Sequence, residues 1–508
     1  MSENTNHRPR PSVGEYIKTR FTTLIPTKEE INAELQHVNP FPPLSEMTGR
    51  DWQFFFIGFS AWTFDNFDYY MVSVNVGTLA ESFNKSVKDI TWAMTLVLML
   101  RSIGAVIVGY TADKYGRKWP LIINLAILAV LQIGTGFVKT FEQFLGIRAI
   151  FGIVMGGMFG VAAATSLEGA PKRARSVLSG FFQQGGPFGY LLAAAFQRAF
   201  IHTAHTWKSL FWFSAGPPVL IIIWRLCLPE TDAFLQQKLH MQSKNSSFTK
   251  DAGAAVKHHW IKLIYLVLLM AGFNFMSHGS QDLYPTLLSK RLQFSADAVT
   301  VTNCVANFGA IVGGILFGHF SGIIGRRFAI MICCVGGGAM IYPWAFLKGS
   351  SINAGAFFMQ FFVQGSWGII PIHLSELSPP EFRVFVSGVA YQLGNLASSA
   401  SSTIESTIGE RFPMPELGEG VYDYSKVMSI FMGCVFGYLL IVTVVGPENR
   451  NAEINLQLSQ EDVEALYDQG VIDQFKQGTS KQADDEEIVG MTNDMGSFDE
   501  KFQYNHRE

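Results

Sequence analysis

The chain is short of charge. Only 16% of its 508 residues are Asp, Glu, Lys or Arg, whereas 48% are hydrophobic and 13% aromatic, with 43 phenylalanines. A soluble enzyme of this length needs a larger charged surface, so the composition points to a polytopic membrane protein. Cysteine is scarce too. The five, Cys227, Cys304, Cys333, Cys334 and Cys434, lie in apolar segments without the paired spacing of a metal knuckle or a secreted disulfide framework, so free thiols are expected. His258-His259 has no further ligands at metal spacing, and no nucleophile-base constellation stands out. No enzyme activity, metal, cofactor or nucleic-acid partner is expected. Met1 to about Arg50 has no apolar core near its start, which argues against a cleavable signal peptide.

Long apolar runs are abundant. Counting about 20 mostly apolar residues as one crossing, twelve spans are expected at roughly 53–79, 91–111, 119–138, 143–166, 177–201, 209–228, 262–288, 298–319, 328–347, 352–374, 384–405 and 425–446. The expected organisation is an N-terminal tail (1–51), a six-helix bundle (52–228), a central loop (229–261), a second six-helix bundle (262–446) and a C-terminal tail (447–508). The loops after spans 2, 4, 6, 8 and 10 collect the basic residues, among them Lys114, Arg117, Lys118, Lys172, Arg173, Arg175, Arg326, Arg327 and Arg383. By the positive-inside rule both tails and the central loop are then cytoplasmic. The sequon Asn84-Lys85-Ser86 falls on the opposite side, close to the membrane.

The two bundles repeat one another at an offset of about 208 residues. Gly109, Gly116 and Arg117 recur as Gly318, Gly325 and Arg326; Glu168, Pro171 and Arg175 recur as Glu376, Pro379 and Arg383; Ser179-Gly180, Gln184 and Gly186 recur as Ser387-Gly388, Gln392 and Gly394. Two similar halves with a site between them suit an alternating-access carrier.

One stretch, Asn274 to Thr286, is far more polar than the apolar run it interrupts. At about 100° per residue, Asn274, Ser277, His278, Gln281, Asp282 and Thr286 share roughly half of a helix circumference, leaving Met276, Leu283 and Leu287 to pack. Polar groups at membrane depth ordinarily face a cavity or a partner. His278 and Asp282, four residues apart, are neighbours on that face and candidate proton handlers. Asn274, Ser277 and Gln281 are candidate substrate contacts. Arg101, in the middle of span 2, offers a planar fork for a carboxylate, or else a permanent salt bridge to Asp65 or Asp68. Those two aspartates stand three apart on one side of span 1, as ion-pair partners for Arg101 or Arg148. Gln392 and Asn395 are candidate substrate amides, while Gln184 is assigned to packing.

Gly109-Tyr110-Thr111-Ala112-Asp113-Lys114-Tyr115-Gly116-Arg117-Lys118 resembles the signature between helices 2 and 3 of the major facilitator superfamily. The second copy departs from it, with Gly322 where Asp113 stands in the first, which weakens the expected charge latch there. Within the superfamily, Asn274, Ser277, His278, Ser280, Gln281, Asp282 and Thr286 fill every specified position of the seventh-helix signature of fungal carboxylate:proton symporters. The resemblance implies an all-α membrane protein with the major facilitator fold, importing small carboxylates with protons at the plasma membrane. It also implies proton coupling at first-helix carboxylates, without choosing between Asp65 and Asp68, and likens Arg148 to the superfamily's fourth-helix arginine. Asp113, Arg117, Glu168, Arg175, Glu376 and Arg383 are assigned to a conformational latch. Lys476, Lys481 and Lys501 in the acidic tail are ubiquitin acceptors for endocytosis by family analogy only. A C4-dicarboxylate importer, a drug:proton antiporter and a non-transporting carboxylate sensor stand as alternatives.

Overall fold

A computed structural model describes residues 13–35, 38–200, 202–243, 248–409, 411–417 and 422–450. The acidic tail with its three lysines lies outside these residues. Among the described residues there is no β-strand, only a bridge between Pro413 and Tyr422. Among the described residues twelve helical stretches make up the two bundles: span 1, Gly49–Val74; span 2, Val87–Tyr115; span 3, Lys118–Phe137; span 4, Phe141–Gly156 with Met158–Leu167; span 5, Arg175–Gln183 with Gly185–Phe200; span 6, Trp207–Ser214 with Gly216–Leu226. In the second half follow span 7, Phe248–Gln281; span 8, Ala296–Ile324; span 9, Arg326–Phe346; span 10, Ile352–Trp367 with Ile370–Leu377; span 11, Arg383–Ser398 with Ser401–Gly409; and span 12, Tyr424–Val445.

Local chemistry sets the helix ends. Spans 1 and 2 each open on a capping box, Thr48 with Asp51 and Ser86 with Asp89, which satisfies amides that would otherwise be orphaned. Gly116 (φ 105°) and its repeat mate Gly325 (φ 99°) make the tight turns into spans 3 and 9, a conformation that an L side chain would strain. A Cβ at Gly156 would fall on the Arg101 carbonyl, so glycine lets spans 2 and 4 touch backbone to backbone.

Eight of the helical stretches among the described residues are long and apolar enough to cross a membrane by length and composition. The others, spans 1, 5, 10 and 11, are broken or carry polar groups, including Asp65, Asp68, Gln184, Gln360, Gln392 and Asn395. A polar group inside a bundle lowers hydropathy without being lipid-exposed.

Two stretches differ from expectation. Span 7 starts at Phe248, and helix Asp232–Ser243 occupies part of the stretch expected as a loop, because the lysines that suggested loop sit on helices continuing past the apolar region. Helices Val13–Thr22, Lys28–Leu35 and Phe41–Ser45 shape the N-terminal tail. That tail docks on the second half, where Arg327 donates to the Arg20 carbonyl at 3.1 Å and His319 Nε2 donates to the Val38 carbonyl at 2.8 Å.

Candidate functional site

Arg101 is 5% exposed at the centre of span 2, with its guanidinium carbon 5.4 Å from the Tyr69 ring centroid. The nearest acid is Asp65, with Nη2 to Oδ2 at 4.0 Å, a loose pairing rather than a bidentate clamp. Both Asp65 oxygens and Arg101 Nε are buried without a hydrogen-bond partner among the described residues. Such orphaned charge costs free energy unless a ligand or proton completes it.

Asp65 and Asp68, expected to act from one side of span 1, have different neighbours. Asp68 faces Arg148, Gln132 and Ser214, inside the first bundle, and also has no hydrogen bond among the described residues. Arg148 is buried there, its guanidinium 3.8 Å from the Phe151 centroid. The difference arises because span 1 is enclosed by its own bundle on one side, so one turn of helix carries a side chain from Arg101 to the bundle interior.

Across from Arg101, His278 Nδ1 lies 3.1 and 3.3 Å from the two Asp282 oxygens, and Arg101 and Asn395 lie within electrostatic reach of the ring. The pair is not sealed: the side chains are 17% and 38% exposed. The continuous helix of span 7 ends at Gln281, and Tyr284–Thr286 forms a separate turn with Pro285 inside it, so Thr286 does not continue the polar face as the helical projection implied. Met276 and Leu287 are buried packing residues, as expected.

The remaining polar residues of span 7 are held by neighbours. Asn274 Nδ2 donates to the Met270 carbonyl at 2.8 Å. Gln281 Nε2 donates to Gln360 Oε1 at 3.0 Å and to Ser277 Oγ at 3.3 Å, while Gln360 Nε2 donates to Ser280 Oγ at 3.1 Å. Gln360 therefore belongs to this polar face and was not picked out from the sequence; a lone amide in an apolar run carries no spacing signal. Asn395 Nδ2 donates to Gln392 Oε1 at 3.0 Å, and Gln392 Nε2 reaches the Gly156 carbonyl at 3.3 Å, so these amides join span 11 to span 4. Gln184 Nε2 donates to the Gly180 carbonyl at 2.9 Å, the packing use expected of it. Tyr391 of span 11 is stacked on Phe159 at 4.0 Å and lies edge-on to Trp62, a further contact between the halves.

At the basic end the latch residues meet with exchanged partners. Arg117 grips Glu168 through Nε at 3.0 Å and Nη2 at 2.9 Å, and Arg383 of the second half reaches the same carboxylate at 3.4 Å. Burial raises the Glu168 carboxyl, but Arg117 and Arg383 outweigh it and hold the group below its ordinary value. Glu376 is gripped by Arg326 at 2.9 and 3.1 Å, and Arg175 donates to the Ala170 and Glu168 carbonyls. Asp113 accepts from the backbone N–H groups of Val384 and Phe385 at 3.2 and 2.8 Å, tying span 2 to the start of span 11.

Two bundles closed at one end by cross-linked charge, around a buried guanidinium facing a histidine–aspartate pair, define a transporter of the major facilitator class. The family described as "Sugar (and other) transporter" matches residues 47–456, and the chain belongs to that family. It is 42% identical to a "Carboxylic acid transporter protein homolog" of Saccharomyces cerevisiae over 466 residues, covering 87% of this chain and 75% of that one. It is 24% identical to a "Cis,cis-muconate transport protein" of Acinetobacter baylyi, over 71% of this chain and 88% of that one. The fold matches the proton:xylose symporter XylE with a TM-score of 0.64 at 17% identity, covering 82% of this chain and 99% of that one.

Proposed function

We propose that this protein imports a small monocarboxylate, of the lactate or pyruvate class, together with a proton by alternating access at the plasma membrane. The observation that carries the reading is Arg101. It is a buried guanidinium with a hydrogen-bonding group unspent, a loose acid partner at 4.0 Å, and a partly exposed His278–Asp282 pair on the opposite wall. A carboxylate docking on Arg101 supplies the missing acceptor, and a proton on Asp65, His278 or Asp282 offsets the added negative charge. The occluded state then tolerates a neutralised site better than an unpaired charge, and that difference couples the two cargoes. The 42% identity to a carboxylic acid transporter homolog supports the anionic substrate. The basic residues at the latch end support a cytoplasmic location for that end and for both termini.

The muconate relative favours a second reading, a dicarboxylate importer with Arg148 as second cation. Against it, Arg148 lies on Phe151 and faces Asp68 within the first bundle. Purified protein in liposomes under an imposed pH gradient, supplied in turn with labelled lactate, pyruvate and succinate, tests both. Gradient-driven uptake of the monocarboxylates is expected; uptake of succinate alone selects the dicarboxylate reading. Binding without uptake of any of the three indicates a sensor and overturns transport. Arg101→Lys should raise the apparent KM at least about tenfold, because a point charge cannot reproduce the bidentate fork.

A further inference from the structure

Span 11 carries an acid that no motif singles out. Glu405, on the outer helical segment Ser401–Gly409, is 0% exposed, and both of its carboxyl oxygens are buried without a hydrogen-bond partner among the described residues. The segment packs against spans 7 and 12. From span 7, Asp282 lies within electrostatic reach of Glu405, with His278 hydrogen-bonded behind it. At the start of span 12, Asp423 is paired with Arg291 at 2.9 Å, the Lys426 ammonium lies 4.1 Å from the Phe412 centroid, and Tyr424 packs edge-on to Tyr422. Those cationic groups are thus engaged elsewhere. An ionised carboxylate enclosed in this way meets neither donor nor counter-charge among the described residues, whereas the neutral acid can sit there. Asp282, within electrostatic reach of it, has a side chain 38% exposed.

We propose that Glu405 is a proton-carrying residue of the transport cycle, working with the His278–Asp282 pair; this rests on the symport reading given above. The Glu405 carboxylate gains one proton from water through the exposed Asp282, forming one O–H bond. It releases that proton to water when the rocking of the halves opens the segment, so the only bonds made and broken are O–H bonds. Arg101 and Asp65 then handle the substrate charge, and the proton load is carried on the opposite wall. The two tasks fall on different halves of the molecule.

The test uses the full chain in liposomes with labelled lactate, comparing wild type, Glu405→Gln and Glu405→Asp. Substrate exchange at equal pH on both sides needs no net proton release, so Glu405→Gln, a permanently neutral isostere, should exchange within about twofold of wild type. Accumulation driven by a pH gradient should fall at least about tenfold, and Glu405→Asp should restore most of it. Wild-type accumulation by Glu405→Gln overturns the proposal, as does a parallel loss of exchange and accumulation in a well-folded variant, which marks a structural role. Absence of gradient-driven uptake by the wild type instead overturns symport itself, so the two failures are separable.

Discussion

The two copies of the inter-helix signature do the same job with different chemistry. In the first, Asp113 accepts two backbone N–H bonds from the start of span 11, while Arg383 of that span reaches Glu168 at 3.4 Å. In the second, Gly322 holds the equivalent place and a Cβ there would lie 2.7 Å from Ser176 Oγ at the start of span 5. The link across the halves is made instead by Arg326 donating to Ser176 Oγ at 2.9 Å. Within each half the arginine–glutamate grip is preserved, Arg117 with Glu168 and Arg326 with Glu376. Charge crosses to span 11, and a neutral hydroxyl crosses from span 5. Span 11 also carries Gln392 and Asn395, so the charged link holds a helix with two of the candidate site residues on it.

Closure of the basic end can be followed with a disulfide between Arg173→Cys and Ile323→Cys, which line one recess from the two halves, after replacing the exposed Cys227, Cys304 and Cys434. The largest expected effect follows from Arg117→Ala. It withdraws the bidentate partner of the buried Glu168 and should cost about 3–5 kcal/mol of stability, read as the lowest melting temperature in the series. If Arg117→Ala melts with the wild type, the grip is not structural in this state. Asp113→Ala comes next. Two charge-assisted bonds to one carboxylate are lost, about 1.5–3 kcal/mol between them, and disulfide yield should drop steeply while the Arg117–Glu168 grip stays. Ser176→Ala removes one acceptor of the charged Arg326, which keeps Ser321 and Glu376, at about 1.5 kcal/mol, so its yield should fall less. Equal losses for Asp113→Ala and Ser176→Ala would dissolve the asymmetry.

Much of this was legible in the residues. Apolar run lengths anticipated twelve helical stretches, eight of which are long and apolar enough to cross a membrane among the described residues, and the repeat set Asp113, Arg117, Glu168 and Arg383 at span boundaries. The weakening of the second copy could be read from Gly322 alone. What could not be read is who grips whom: a repeat pairs positions within each half, whereas Arg383 crosses to Glu168 because the halves meet face to face there. Asp65 and Asp68 look equivalent on a helical projection, and only the neighbouring spans divide them between cavity and bundle interior. Gln360 escaped because it is one polar residue in an apolar run, and Glu405 because it stands in a Ser/Thr-rich stretch at the end of span 11; the relevant neighbours of both lie on other helices.

The smallest effect concerns pH. Glu168 titrates below its ordinary value of 4.5, since Arg117 and Arg383 favour the ionised form more than burial opposes it. A group lowered in this way contributes its full stabilisation above the ordinary value and loses it only as pH falls through the lowered one. The Arg117–Glu168–Arg383 grip should therefore keep its charge from about pH 5 to about pH 7.5, the range over which a proton-coupled cargo site must load and unload. Disulfide yield between Arg173→Cys and Ile323→Cys, formed with a pH-insensitive oxidant in an Asp113→Asn background that leaves Glu168 as the rim carboxylate under test, should stay flat over that range and fall only below it. A yield that instead climbs or drops between about pH 6 and about pH 7 would mean that protons act on the latch itself, and that the cavity wall is not where coupling is decided.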